Sequence, residues 1–247
     1  HFQKGDIKNA LQYYIDARKA NQSKNFARII DEKIKLCGEN KLRICWDIHH
    51  SCNFRCSYCW FYGKWVHAGK NNSYPPCDKI YDFWRKIYDR YGEAQIEING
   101  GEPFIYPNFQ ELISRISSMH SVKISTNLSM IDASIIDAWD PEKVEIISTF
   151  HPSWINYDDF IARVKPLRDR GFTRNVLYLA YPPQLQLSKI YKEKFNKENM
   201  TFSIQPFSGI YDGINYPDGY VAEEKAILSY DGAEYQSSLS QLVPSSL

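Results

Sequence analysis

The chain has 247 residues, 43% of them hydrophobic and 24% charged, and a formal net charge of +1. This is the balance of an ordinary soluble globular chain, long enough to bury a large core as one α/β domain. The near-zero charge gives no electrostatic case for nucleic acid or an anionic membrane as partner, and no apolar run reaches transmembrane length.

Residues 1–41 read as helices and are basic, with nine Lys/Arg against five Asp/Glu. The stretch Gly5–Ala17 resembles the second half of a tetratricopeptide repeat, with Ala10, Tyr14 and Ala17 at small-aromatic-small positions. A generic amphipathic helix fits it equally well. One half-repeat cannot bury its apolar face alone, so the segment either packs on the domain that starts at Leu42 or continues repeats upstream in a longer protein. The first residue is His1 rather than Met, and the N-terminus has no signal-peptide pattern.

From Leu42 onward strands and helices alternate. Leu42–Ile48 reads as a strand. Pro75-Pro76 then precedes a helix with Ile80, Phe83, Trp84, Ile87, Tyr88 and Tyr91 at helical period. Gln95–Ile98 is a strand, and Phe109, Leu112, Ile113, Ile116 and Met119 form one helix face. Val122–Thr126 is a strand, Ile131–Trp139 a short helix and Val144–Phe150 a strand. Asp158–Arg170 is a helix closed by Gly171. Asn175–Tyr181, Leu187–Asn196 and Thr201–Phe207 complete the alternation as strand, helix and strand. Such alternation predicts a parallel sheet in an α/β fold. Ser208–Gly219, rich in Gly, Tyr and Pro, reads as a loop, Tyr220–Tyr230 as a helix, and Ser237–Leu247 as a frayed tail. The expected organisation is a helical segment over 1–41, a core over 42–207 and an extension over 208–247.

Three of the six cysteines, Cys52, Cys56 and Cys59, stand in one loop with C-x3-C-x2-C spacing, while Cys37, Cys45 and Cys77 are scattered. This distribution suits a reducing, cytoplasmic setting better than a disulfide framework. Three thiolates in so short a run can converge on one metal centre, either zinc or an iron–sulfur cluster. No fourth cysteine lies nearby, and a cluster held by three would leave one iron open to a small molecule. A second feature is Asn99-Gly100-Gly101-Glu102-Pro103, directly after the strand Gln95–Ile98. The two motifs, in this order, resemble the radical S-adenosylmethionine superfamily, whose signature is C-x3-C-x-aromatic-C, with Tyr58 in the aromatic place, and then G-G-E-P.

The resemblance implies a partial (β/α)6 TIM-like barrel, with the chemistry at the C-terminal strand ends where both motifs fall. It implies a [4Fe–4S] cluster on Cys52, Cys56 and Cys59 that reductively cleaves S-adenosylmethionine to methionine and a 5′-deoxyadenosyl radical, which abstracts hydrogen from substrate. A protein donor would supply the electron. Gly100 and Gly101 would let backbone approach the cofactor. Glu102 and Pro103 complete that segment, with Glu102 supplying negative charge near the methionyl ammonium. Ser125 and Asn127 end strand three, Ser148 ends strand four and Gln205 ends strand six, all candidate cofactor contacts. Strand five lacks the Gly-rich adenine pattern of some relatives, which leaves Tyr58 and Trp60 as candidates for that contact. Phe54, Tyr58, Trp60 and Phe61 are apolar cover for a cluster.

His49, His50 and His151 fall near the expected barrel mouth, as proton donors, substrate contacts or structural residues. Asp47 and Glu97 are candidates for a polar lumen, although alternation alone does not say which face points inward. Cys45 and Cys77 read as buried small apolar residues, or as radical-quenching thiols. No cysteine follows Cys77, so residues 78–247 cannot bind a second cluster through thiolates. The substrate is open between a peptide or protein side chain and a sugar-type small molecule. The rival from another class is a non-catalytic zinc- or iron–sulfur-binding interaction module.

Overall fold

A computed structural model describes residues 41–59, 72–131, 137–173 and 175–229. The sequence expectations for residues 1–40, for Trp60 and Phe61, and for the tail therefore lie outside the described residues.

Six strands form one sheet: β1 (Leu42–His49), β2 (Ala94–Gly100), β3 (Ser121–Thr126), β4 (Val144–Phe150), β5 (Asn175–Ala180) and β6 (Thr201–Pro206). Their spatial order is their chain order, and every neighbouring pair is parallel. Each crossover thus steps one place in the same direction. With the usual right-handed connection, all connecting helices fall on one face, and the other face curls around a lumen. The result is the expected partial (β/α)6 barrel.

The helices are α1 (Cys77–Tyr91), α2 (Phe109–Ser117), α3 (Tyr157–Asp169) and α4 (Leu187–Lys197). Pro76 caps the start of α1, and Gly92, at φ 76°, ends it with its N–H on the Tyr88 carbonyl. Asn156 caps α3, its side chain accepting from the Asp159 N–H at 2.8 Å. Gly171, at φ 85°, lets the chain turn back after α3 into β5. Phe109, Leu112, Ile113 and Ile116 of α2 are buried as their spacing predicts, each contributing roughly 1.5–3 kcal/mol of transfer free energy. On α1 only part of the expected face is covered. Ile80 and Trp84 are buried, but Phe83 and Tyr88 are exposed, because β1, the strand beneath, is the edge of the sheet. The high aromatic content is spent largely on packing: Phe150, Phe160, Tyr178, Tyr191, Phe195 and Phe202 interlock between β4–β6 and the helices.

Two faces alternate along every strand. Ile96, Ile98, Val122, Ile124, Val144, Ile146, Val176 and Tyr178 face the helices and are buried. The opposite parity faces the lumen. Cys45, Glu97, Lys123 and Glu145 stand in register across four strands. Arg43 pairs with Glu97 at 3.0 Å and Lys123 with Glu145 at 3.2 Å. Charge therefore fills the lower lumen. Asp47 and Glu97 do take the inward parity, but Glu97 is engaged by Arg43, below the strand ends, and Asp47 is exposed on the edge strand.

Three expectations change. The segment 208–219 is a hairpin, with β7 (Gly209–Tyr211) and β8 (Ile214–Tyr216) antiparallel. Asp212 and Gly213, both at positive φ, make the two-residue turn that hairpins favour. The next helix, α5, spans Ala222–Ser229. Cys45 is exposed on the lumen side of β1, and Cys77 is half-buried at the start of α1. For the helix expected over Ile131–Trp139, residues 132–136 lie outside the described residues. No helix among the described residues is long and apolar enough to cross a membrane.

Candidate functional site

The loop after β1 packs by alternation. Phe54, Cys56 and Tyr58 are buried, while Asn53, Arg55 and Ser57 face outward. A turn closes it, with the Cys59 N–H on the Cys56 carbonyl at 3.1 Å. The Arg55 guanidinium donates to the carbonyls of Cys52 and Phe54. Asn53 bridges to the end of β3, donating to Ser129 Oγ at 2.7 Å and accepting from Asn127 Nδ2 at 3.1 Å.

The Gly-Gly segment ends β2 against this loop. The Gly101 N–H donates to the His49 carbonyl and the Glu102 N–H to the Ser51 carbonyl, both at 2.8 Å. A β-carbon on Gly100 would stand 2.1 Å from the His49 carbonyl oxygen, and one on Gly101 1.9 Å from that of Ser51. Gly100 also has φ of 121°. The glycines are thus required by backbone meeting backbone: they dock the strand end onto the root of the cysteine loop.

Glu102 is 1% exposed. Its carboxylate accepts from Thr126 Oγ1 at 2.7 Å, the Asn127 N–H at 2.8 Å and the Phe104 N–H at 3.3 Å. Burial pushes its pKa up to about 7, against the Asn127, Thr126 and Phe104 bonds, which pull it down. The side chain expected to give local negative charge also joins the ends of β2 and β3. Pro103 is buried and opens the short 3-10 turn Pro103–Ile105; it does not line the cavity.

One cavity of about 310 Å3 gathers these parts at the C-terminal ends of the strands. Cys52, Cys56, Cys59 and Tyr58 line it from the loop, and Gly100, Gly101 and Glu102 from β2. Ser125, Asn127 and Gln205 line it from β3 and β6. Ser148 does not. It is fully buried on the helix face of β4, with its hydroxyl toward Thr173 Oγ1 at 3.4 Å. Thr149, of opposite parity, lines the cavity in its place, with Asn99, Leu177 and Leu179, which were not anticipated. Of the three histidines, His151 lines the cavity. His49 is buried against Tyr74 and Tyr106, its Nδ1 accepting from the Ser51 N–H. The His50 N–H donates to Asn72 Oδ1 at 3.0 Å.

The three thiols are free of disulfides and close enough to influence one another electrostatically. Burial pushes the Cys52 thiol up and the Cys56 thiol to about 12. A thiolate so buried needs a cation beside it, and a metal centre supplies one. Among the described residues no three His, Cys, Asp or Glu side chains stand at the spacing of a single ion's ligands. A [4Fe–4S] cluster binds each cysteine to a different iron, so its ligands stand wider apart than those of one zinc. The donor set, all thiols in a cavity closed by apolar Phe54 and Tyr58, fits that group.

The model of the family described as the radical SAM superfamily matches residues 46–184. The chain belongs to this superfamily, whose cofactors are a [4Fe–4S] cluster and S-adenosylmethionine. Among curated proteins, the probable GTP 3′,8-cyclase of Methanocella arvoryzae is 29% identical over 94 residues, which is 38% of this chain and 28% of that protein. Among solved structures, native anSMEcpe with bound AdoMet superposes with a TM-score of 0.59 at 15% identity, over 81% of this chain and 62% of that one. Streptococcus suis SuiB bound to its precursor peptide SuiA gives 0.58 at 16% identity, over 90% of this chain and 53% of that one. These likenesses support the barrel fold. The chain spans about a quarter of the length of the curated relatives it matches.

Proposed function

We propose that residues 42–207 form the catalytic unit of a radical S-adenosylmethionine enzyme. Cys52, Cys56 and Cys59 hold the [4Fe–4S] cluster, and the cavity beside them holds S-adenosylmethionine. The observation that carries this reading is the single cavity lined at once by the three thiols and by Gly100–Glu102. When bound, the two cofactors supply one-electron cleavage of a carbon–sulfur bond, giving methionine and a 5′-deoxyadenosyl radical able to abstract hydrogen. The chain's residues bind, orient and shield. Gly100 and Gly101 bring β2 onto the cysteine loop, Ser125, Asn127, Thr149 and Gln205 offer polar contacts, and Phe54 and Tyr58 keep water from the metal.

Leu177 and Leu179 give the cavity an apolar wall for substrate. A peptide or protein side chain is the favoured class, supported by peptide-bound neighbours of the same fold. The relatives called GTP 3′,8-cyclase support a phosphorylated small molecule as the second reading. A soluble one-electron donor protein in the cytoplasm supplies the electron. Anaerobic reconstitution tests the proposal. A brown protein with stoichiometric iron and sulfide should release 5′-deoxyadenosine with dithionite and S-adenosylmethionine, and Cys56→Ala should abolish both. A colourless protein with stoichiometric zinc would instead establish the metal-binding-module alternative.

A further inference from the structure

Cys56 is the most buried of the three cavity thiols, and two polar groups converge on its sulfur. His151 Nδ1 stands 3.8 Å from Cys56 Sγ and 3.0 Å from the Tyr58 hydroxyl, and that hydroxyl lies near the same sulfur. The imidazole is held by two neighbouring rings. Its ring stacks on Tyr58 at 5.8 Å and 17°, and the Phe54 ring meets it edge-on at 5.9 Å. Its backbone is fixed by the turn after β4, where the His151 carbonyl accepts from the N–H groups of Trp154 and Ile155. Tyr58 is braced from behind by Tyr181 at 5.0 Å.

If the Tyr58 O–H is turned to the sulfur, its oxygen lone pair faces Nδ1. That arrangement requires the proton on Nδ1, which then points at both the Tyr58 oxygen and the sulfur. A ring so clamped gives a hydrogen bond of fixed direction without further ordering of the side chain.

We propose that His151 is a positioning residue for the metal centre: it donates its Nδ1–H to the sulfur of Cys56 and, with the Tyr58 hydroxyl, raises the reduction potential of the cluster that Cys56 ligates. This inference rests on the cluster assignment above. Reduction adds one electron to the cluster, and the added negative charge is shared with the ligand sulfurs. A donor at the sulfur therefore stabilises the reduced form more than the oxidised form, and hydrogen bonds to sulfur are among the levers that set such potentials. Of the three thiols, Cys56 is the one joined to an imidazole. The arrangement gives this chain a means of easing electron entry without changing a ligand.

The test is a potentiometric titration of the reconstituted protein with dithionite, monitored by electron paramagnetic resonance, in the absence of S-adenosylmethionine. His151→Asn keeps an amide donor near the Nδ1 position, and His151→Gln moves it away. His151→Phe keeps the aromatic plate and removes the donor. With iron and sulfide content unchanged, Phe and Gln should shift the one-electron equilibrium toward the oxidised cluster about tenfold, a midpoint lower by about 59 mV. Asn should stay near wild type, and Tyr58→Phe should shift in the same direction by less. Equal midpoints for the wild type and the Gln and Phe variants at full loading would overturn the proposal. If the Phe variant does not load, the Asn–Gln difference decides, and no difference overturns it. Cys56→Ala separates the two claims, since full iron loading there sinks the ligand assignment itself.

Discussion

Gly101→Ala isolates the contact that seats the cysteine loop. Gly101 has no positive φ, so alanine is conformationally acceptable there and only space refuses it. The new β-carbon would stand 1.9 Å from the Ser51 carbonyl oxygen, 2.4 Å from its carbon and 2.9 Å from the His50 carbonyl carbon. All three are backbone atoms, which cannot rotate aside. Restoring ordinary contact distance moves the loop root by roughly 1.5 Å. That displacement breaks the bonds from Gly101 to His49 and from Glu102 to Ser51, at about 1 kcal/mol each. Crowding adds about 1–3 kcal/mol, for a total of roughly 3–5 kcal/mol. A domain of ordinary stability survives that loss or relieves it by letting the loop swing out. Either way Cys52, which directly follows Ser51, leaves its place in the cavity wall. Urea unfolding and iron content after anaerobic reconstitution, measured on one preparation, should show a lower midpoint, a loss of most bound iron, or both. Gly213→Ala is the control. It sits at φ 73° with nothing within 4 Å of its β-carbon position, so only backbone strain of about 1 kcal/mol applies and iron loading should be unaffected. Wild-type stability and iron content in Gly101→Ala would refute the reasoning.

Two further predictions concern pH. His120 is fully buried, with Nδ1 accepting from the Ala94 N–H and Nε2 donating to the Trp84 carbonyl, both at 3.0 Å, so it serves as a neutral clip between α1 and β2. Burial, only partly offset by the Trp84 bond and Glu93, holds its pKa below 6.5. The unfolded state then takes up the proton first, so the stabilising contribution is complete above pH 6.5 and is lost as pH falls toward the depressed folded value. The urea midpoint should fall between about pH 7.5 and about pH 5.5, and His120→Gln should be less stable at the upper pH with a flatter slope; a parallel slope would count against this. Burial raises the Glu93 carboxyl, but bonds from Ser121, Lys143 and Lys41 outweigh it and bring the pKa down to about 2. Its contribution, about 1–2 kcal/mol after screening, is present above pH 4.5 and lost as pH falls toward 2. Glu93→Gln should remove that part of the acid limb, and an unchanged acid titration of stability would refute it.

How much of this was legible in the sequence depended on how local each feature is. The cysteine loop and the two glycines could be read directly, since their residues adjoin in the chain and their spacing carries the geometry. Six strands and four helices emerged from periodicity, because each buries a face along its own length. What failed depended on parity or on distant partners. In Ile147-Ser148-Thr149-Phe150 polar residues occupy both parities, so alternation could not say that Ser148 faces the helices and Thr149 the lumen. The Asp212-Gly213 turn was a readable hairpin signal, submerged in a Gly- and Pro-rich stretch. His120 lies between a helix end and a strand start, where no period marks it.

Glu102 shows the same limit at the centre of the site. Its position in the motif suggested a charge offered to a ligand, and nothing local contradicts that. Only the arrangement of β2 beside β3 reveals that Thr126 and Asn127 already take both carboxylate oxygens. The consequence is mechanical. The Gly101 and Glu102 amides fasten β2 to the cysteine loop, and the Glu102 side chain fastens β2 to β3. Asn127 then reaches back through Asn53 to the loop, with its Nδ2 3.9 Å from Cys52 Sγ. Loop, β2 end and β3 end therefore form a closed ring of hydrogen bonds around one wall of the cavity. Such closure stiffens that wall, because displacing any member requires breaking bonds at two places.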